Sequence, residues 1–142
     1  MLKTLRLTTK IAELDFEVIY RFISNSYWAK DIPRATMKSA MSGSLCFGVL
    51  DDKGHLLAFA RMITDKATFA YLADVFVIPE QQGNGISKWM MEHIMAHKDL
   101  QGLRRMMLAT RDAHGLYKQF GFDEIAEPDL LMQIVKPTIY QD

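Results

Sequence analysis

An apolar run over residues 68–78 stops at Pro79, crosses Gly83 and Gly85, and resumes from Ile86 with a different period. Up to Ile78 the residues suit a long buried strand, and a proline cannot donate to a ladder, so the strand ends there. Beyond Gly85, Ile86, Trp89, Met90, His93 and Ile94 share one helical stripe. A strand therefore feeds a helix through a tight turn, Gln82-Gly83-Asn84-Gly85. Such a turn leaves backbone N–H groups unpaired at the helix start, where the helix dipole favours negative charge. With no side chains at Gly83 and Gly85, the oxygens of an anion can reach the main chain. The segment suits a phosphate or pyrophosphate, or else serves only as a strand-to-helix turn. No Gly-Lys-Ser/Thr follows, which excludes a P-loop, and the third glycine of a dinucleotide fingerprint is missing.

The rest of the chain supplies a mixed sheet and its cover. Strands are expected over residues 2–7, 45–50, 55–63, 68–78, 103–110 and 130–136, with Asp51-Asp52-Lys53-Gly54 turning a hairpin. Helices are expected over 15–25, capped by Asp15, over 34–41, ending near Gly43, and over 113–120, with Asp112 at its start and Gly121 at its end. Residues 26–33 form an aromatic and polar loop. Three strands in succession argue for a mixed sheet covered by helices, and not for a pure βαβ repeat. No linker or repeat divides residues 1–142, so one domain is expected.

Composition narrows the function. Seventeen basic residues balance seventeen acidic ones, so no global field draws nucleic acid or an acidic membrane, and any anion site is local. No apolar run is long enough to span a bilayer, and residues 1–9 lack the core of a signal peptide. The lone Cys46 excludes an internal disulfide, and the expected compartment is the cytoplasm. Set in an apolar strand, Cys46 reads as a buried thiol. His93 and His97 stand four apart, but no third ligand accompanies them, so no metal site is expected.

Residues 77–87 resemble the acetyl-CoA-binding motif of the GNAT acetyltransferase superfamily. There a strand ending in Val-x-Pro is followed by Gln or Arg, two spacers, Gly, one spacer, and Gly or Ala. Val77-Ile78-Pro79, Gln82, Gly85 and Ser87 stand in those places, with Ser87 departing from Gly or Ala. Residues 110–122 resemble the later motif, with Ala113, Tyr117 and Phe120-Gly121-Phe122, although Thr110 stands where many members carry Asn. The resemblance implies the GNAT fold, an α+β, three-layer α/β/α domain whose mixed, mostly antiparallel sheet has a central strand pair that splays apart. It implies acetyl-CoA as co-substrate, held by Phe76, Val77, Gln82, Gly83, Asn84, Gly85, Ile86, Ser87, Thr110, Ala113 and Tyr117. The Val77 N–H would polarise the thioester carbonyl.

Tyr117 would be the general acid for the leaving thiolate, whose pKa is near that of cysteine, about 8.5; without the resemblance it reads as a core tyrosine. Asp74 is the first candidate base, with Glu80 and His114 as alternatives, and water serves equally well. Tyr27, Trp28 and Tyr71 are the expected acceptor walls, and Arg61 could reach the same cleft. The implied reaction moves an acetyl group onto the primary amine of a small molecule by direct attack in a ternary complex. A protein or peptide N-acetyltransferase and a non-catalytic CoA-binding module are the alternatives. Dimers are common in the family, which makes a homodimer one of the expected states.

Overall fold

In β3 (Leu56–Thr64), Ala58, Ala60 and Met62 point to one apolar cluster while Phe59 points to another, so the strand is buried on both faces. β2 (Leu45–Leu50) is likewise buried almost throughout. Strands of this kind need a cover on each side, and the helices provide it. The computed structural model describes residues 2–141; Met1 and Asp142, the ends of the expected domain, lie outside the described residues.

The sheet has five strands in the order β1-β2-β3-β4-β5, with β1 spanning Arg6–Thr8, β4 spanning Phe69–Val77 and β5 spanning Arg105–Leu108. The first four strands pair antiparallel and β5 joins β4 in parallel. α3 (Ile86–Met95) makes the crossover and presses Ile86, Met90, Met91 and Ile94 onto one face, where Tyr117 of α4 (His114–Lys118) joins them. On the other face α1 (Phe16–Ser24) and α2 (Arg34–Ser42) bring Ile19, Ile23, Met37 and Met41 against Leu50, Phe59 and Phe76. The layering is the expected α/β/α. No helix among the described residues is long and apolar enough to cross a membrane.

Local signals explain the element ends. Asp15 caps α1, its carboxylate accepting from the N–H groups of Glu17 and Val18. Gly43 follows α2 as expected. Gly121 adopts φ +94°, and bonds from Gly121 N–H to Lys118 O and from Phe122 N–H to Tyr117 O close the end of α4 in a Schellman arrangement.

Three expectations need correction. The first strand begins at Arg6, because Leu2–Thr4 forms a 3-10 turn that carries the chain onto the sheet edge. Asp112 does not cap α4; the cap position is Ala113, whose N–H donates to Thr110 Oγ1 at 3.1 Å. Residues 131–136 form no strand and have no ladder partner, and all of residues 123–139 are exposed. β5 is therefore the edge of the sheet in the single chain. Replacing Asp15 with Ala removes the cap of α1 and is expected to cost about 1 kcal/mol in urea denaturation, with most of it recovered by Asn, which keeps the acceptor.

Candidate active site

β4 carries a bulge. Phe59 faces Phe76 and Arg61 faces Ala73, so Asp74 and Val75 together stand opposite Ala60. Asp74 adopts φ +56°, a left-handed conformation that aspartate tolerates better than most residues. The bulge switches the strand's faces: Ala70 and Leu72 belong to the cluster under α3, whereas Phe76 belongs to the cluster under α1. β4 then parts from its parallel neighbour. Pairing with β5 ends at Leu72↔Leu108, and β4 runs on to Val77 without a partner on that side. A cleft of about 880 Å³ opens there, bordered by Ala73–Val77 of β4, residues 108–113 and the loop at Tyr27 and Trp28.

A three-residue ion-pair and hydrogen-bond network fixes one wall. Asp74 Oδ2 accepts from Arg61 Nε at 2.5 Å and Oδ1 accepts from Trp28 Nε1 at 2.7 Å. Arg61 also donates to Ser44 Oγ at 3.0 Å. The side chains of Arg61 and Asp74 are only 15% and 5% exposed, so the pair is shielded from water. With both carboxylate oxygens occupied, Asp74 is poorly placed to take a proton and well placed to hold Trp28. Arg61 borders the cleft as well, with its Nε and Nη1 engaged by Asp74 and Ser44.

The end of β4 and the start of α3 form the second wall. The Ile78 N–H donates to Leu57 O at 2.9 Å, so alternation along the antiparallel ladder makes Phe59/Phe76 the next bonded pair. Phe76 therefore spends its backbone on β3 and is a poor cofactor partner, contrary to the expectation. Val77 turns its N–H away from β3, toward the cleft. Gln82 Nε2 donates to Val77 O at 3.1 Å and ties the glycine turn to the strand end. Gly83 and Gly85 adopt φ +83° and +80°, and a Cβ at either would meet nothing within 4 Å. Conformation is thus what demands glycine, and the space in front of the turn is open. α3 starts at Gly85 with no side-chain cap, which leaves the N–H groups of Ile86 and Ser87 available. Ile86 can contribute only that backbone group, because its side chain is buried. Asn84 donates to Gln81 Oε1 at 3.3 Å and braces the turn.

Tyr117 closes the far side. Its ring packs edge-on against Phe122 at 5.9 Å, within the core cluster, as the bland reading required. Yet its hydroxyl has no hydrogen-bond partner among the described residues, and no buried side-chain polar atom there is left unpaired. The hydroxyl therefore opens to the cleft that Tyr117 lines. Burial, then the charge of Asp112, then Tyr27 push its pKa above the ordinary tyrosine value. Asp112 is the residue that sequence reasoning missed: it lines the cleft instead of capping a helix.

Other candidates separate clearly. Tyr27, Trp28 and Tyr71 all border the cleft, with Tyr27 edge-on to Trp28 at 5.1 Å and the Arg111 guanidinium 3.9 Å over the Tyr27 ring. Ala113 and Thr110 border it too, although the Thr110 hydroxyl already accepts from Ala113. Glu80 and His114 do not line it. Cys46 is buried beside Met41 O, and burial pushes its thiol up to about 11, far from the range of a reactive thiolate.

Comparison with known proteins gives a consistent result. The profile described as Acetyltransferase (GNAT) family matches residues 10–122. A crystal structure of a GNAT-family protein from Xanthomonas campestris pv. campestris is 50% identical, with a TM-score of 0.93 over 97% of each chain. The Gibberella zeae protein named "Putative acetyltransferase FG08082" is 32% identical over 86% of this chain and 81% of its own. A Staphylococcus aureus structure at 24% identity, with a TM-score of 0.71 over 93% of this chain and 98% of its own, shares the fold alone.

Removing the Asp74 carboxylate should expose how much the site leans on it. Asp74→Ala leaves the Arg61 guanidinium shielded and unpaired, and is expected to cost about 3 kcal/mol by chemical denaturation. Trp28, released from its anchor, should show a red-shifted emission in the same variant.

Proposed function

The chain belongs to the GNAT family of acetyltransferases, and we propose that it transfers the acetyl group of acetyl-CoA to the primary amine of a small molecule, with both substrates bound together. One observation carries this reading. Val77 with its outward N–H, Gln82 of the turn that leads to the uncapped start of α3, and Tyr117 with its unpartnered hydroxyl all border a single open cleft.

Acetyl-CoA, when bound, supplies an acetyl group activated as a thioester. The N–H groups along residues 82–87 suit its pyrophosphate, as unpaired donors at the positive end of a helix dipole. The Val77 N–H is a fixed donor for negative charge developing on the acyl oxygen, and it needs no reorganisation to act. Tyr117 holds a proton at its hydroxyl for the departing sulfur. Its raised pKa keeps that proton in place at neutral pH and above. Tyr27, Trp28 and Tyr71 form the acceptor wall, and Asp74 is a positioning residue that fixes Trp28. Confining amine and thioester to one cleft supplies acceleration through proximity. The aromatic wall favours a compact acceptor over an extended peptide. An acceptor screen that follows thiol release from acetyl-CoA, with small amines beside peptides, tests the class.

Acetyl-CoA at about a hundred times its Kd should add roughly 2.7 kcal/mol and raise Tm accordingly. Gly85→Ala, which forces a Cβ into a left-handed conformation, should lose that shift and itself cost roughly 1 kcal/mol. An unshifted Tm of the parent at millimolar acetyl-CoA would sink the proposal.

Tyr117→Phe keeps the ring and its packing but deletes the proton donor. Its kcat should fall by about 10²–10⁴, with the Kd of acetyl-CoA unchanged. In the parent the donor form persists above the ordinary tyrosine pKa of about 10, so the alkaline fall in kcat attributable to this group lies beyond that pH. The variant should lack it. Near-normal kcat in Tyr117→Phe would assign the proton to water and leave Tyr117 a packing residue.

A further inference from the structure

Four charged side chains border the cleft: Arg61, Asp74, Arg111 and Asp112. Arg61 and Asp74 neutralise each other in their shielded pair. The side chains of Arg111 and Asp112 have neither a hydrogen bond nor a salt bridge among the described residues. One cation and one anion, neighbours in the chain, are thus left without partners at the cleft.

Arg111 is nevertheless held in place. Its guanidinium lies 3.9 Å over the Tyr27 ring, Tyr27 meets Trp28 edge-on, and Trp28 Nε1 donates to Asp74 at 2.7 Å. A cation seated on a ring engages no N–H donor in a hydrogen bond, so the planar fork stays free for a planar anion. Carboxylates meet that fork with two parallel bonds. Asp112 stands on the Tyr117 side, where its charge reaches the tyrosine hydroxyl. Resting on the acetyl-transfer reading above, we infer that the acceptor is a free amino acid with an apolar side chain, its carboxylate held by Arg111 and its amino group drawn to Asp112.

Charge balance favours this class over other amines. A zwitterion brings one charge of each sign to a cleft that offers one of each. An amine without an anionic group leaves Arg111 unpaired, and a polycationic amine is repelled by it. A phosphate-bearing amine sets up to two negative charges against a single free cation beside Asp112. A peptide N-terminus carries an amide where the carboxylate should be. The rings of Tyr27, Trp28 and Tyr71 then receive the apolar side chain. The carboxylate is a binding handle and takes no part in bond making.

Thiol release from acetyl-CoA is followed with leucine, methionine and phenylalanine, each beside its carboxamide and its decarboxylated amine. The amino acids should show a kcat/KM about tenfold or more above both controls, as expected for one charge-assisted contact. Arg111→Gln should erase that preference by raising the KM of the amino acids, and Arg111→Lys, which keeps the charge without the fork, should restore only part of it. Asp112→Asn should raise KM for amino acids and decarboxylated amines alike, since both carry an ammonium group. Controls that match the amino acids, or a preference that survives Arg111→Gln, overturn the assignment while acetyl transfer itself stands. An acetyl-CoA shift in Tm that disappears in Arg111→Gln overturns it too, by giving Arg111 to the cofactor. No thiol release with any of these compounds also overturns it, and the parent's acetyl-CoA shift then tests the cofactor reading separately.

Discussion

The site is organised by the conformation of one residue, Asp74. Its left-handed backbone inserts an extra residue into β4, and that reverses which side chains face which core. Holding an L-residue there costs roughly 1 kcal/mol or more. The cost is offset on the spot, because the same carboxylate accepts from Arg61 and Trp28 in a shielded setting. Without the bulge, the face that buries Ala70 and Leu72 under α3 would continue unchanged along β4, and Phe76 would not stack on Phe22 at 4.3 Å. The interaction that stabilises the bulge also fixes an aromatic wall of the cleft. Stability and site geometry are thus coupled through a single side chain.

Around that feature the fold separates its tasks between two cores. The cluster under α3 holds the end of β4 and the start of α3 in register, which sets the donors of Val77 and of the glycine turn. The cluster under α1 and α2 supports the loop bearing Tyr27 and Trp28. The sheet transmits both arrangements to the splay between β4 and β5, where no backbone ladder fills the gap. A chain with no net charge can therefore present an uncapped helix start and, elsewhere, a tyrosine with a raised pKa, each set by its immediate surroundings.

Much of this was legible from local patterns. The change of period across Pro79 and the two glycines located the end of β4 and the start of α3 to within a residue or two, because proline and left-handed glycine act on the backbone where they stand. Asp15 capped the helix it was expected to cap. Asp112 did not, because the turn that the Thr110 hydroxyl closes on the Ala113 N–H places Ala113 at the cap position, and α4 has no side-chain cap. The splay beside β4 was expected only through the family resemblance, and the bulge was not expected from the residues. Nothing in Ala-Asp-Val distinguishes a bulged strand from a regular one until β3 supplies the facing register.

The sequence alone determined the order of the main strands and helices and a mixed sheet covered by helices, since periodicity, turn residues and apolar runs are properties of neighbouring positions. Its alternation over residues 130–136 suggested a strand that does not form. Tertiary structure decided the rest: that Asp74 is taken up by Arg61 and Trp28, that Phe76 gives its backbone to β3 while Val77 does not, and that Tyr117 is packed by its ring and open at its hydroxyl. It also decided that residues 131–136 form no strand and that β5 is left at the edge of the sheet. Each of these depends on groups far apart in sequence meeting in space, and pairing energy is set by that meeting and not by any single residue's preference.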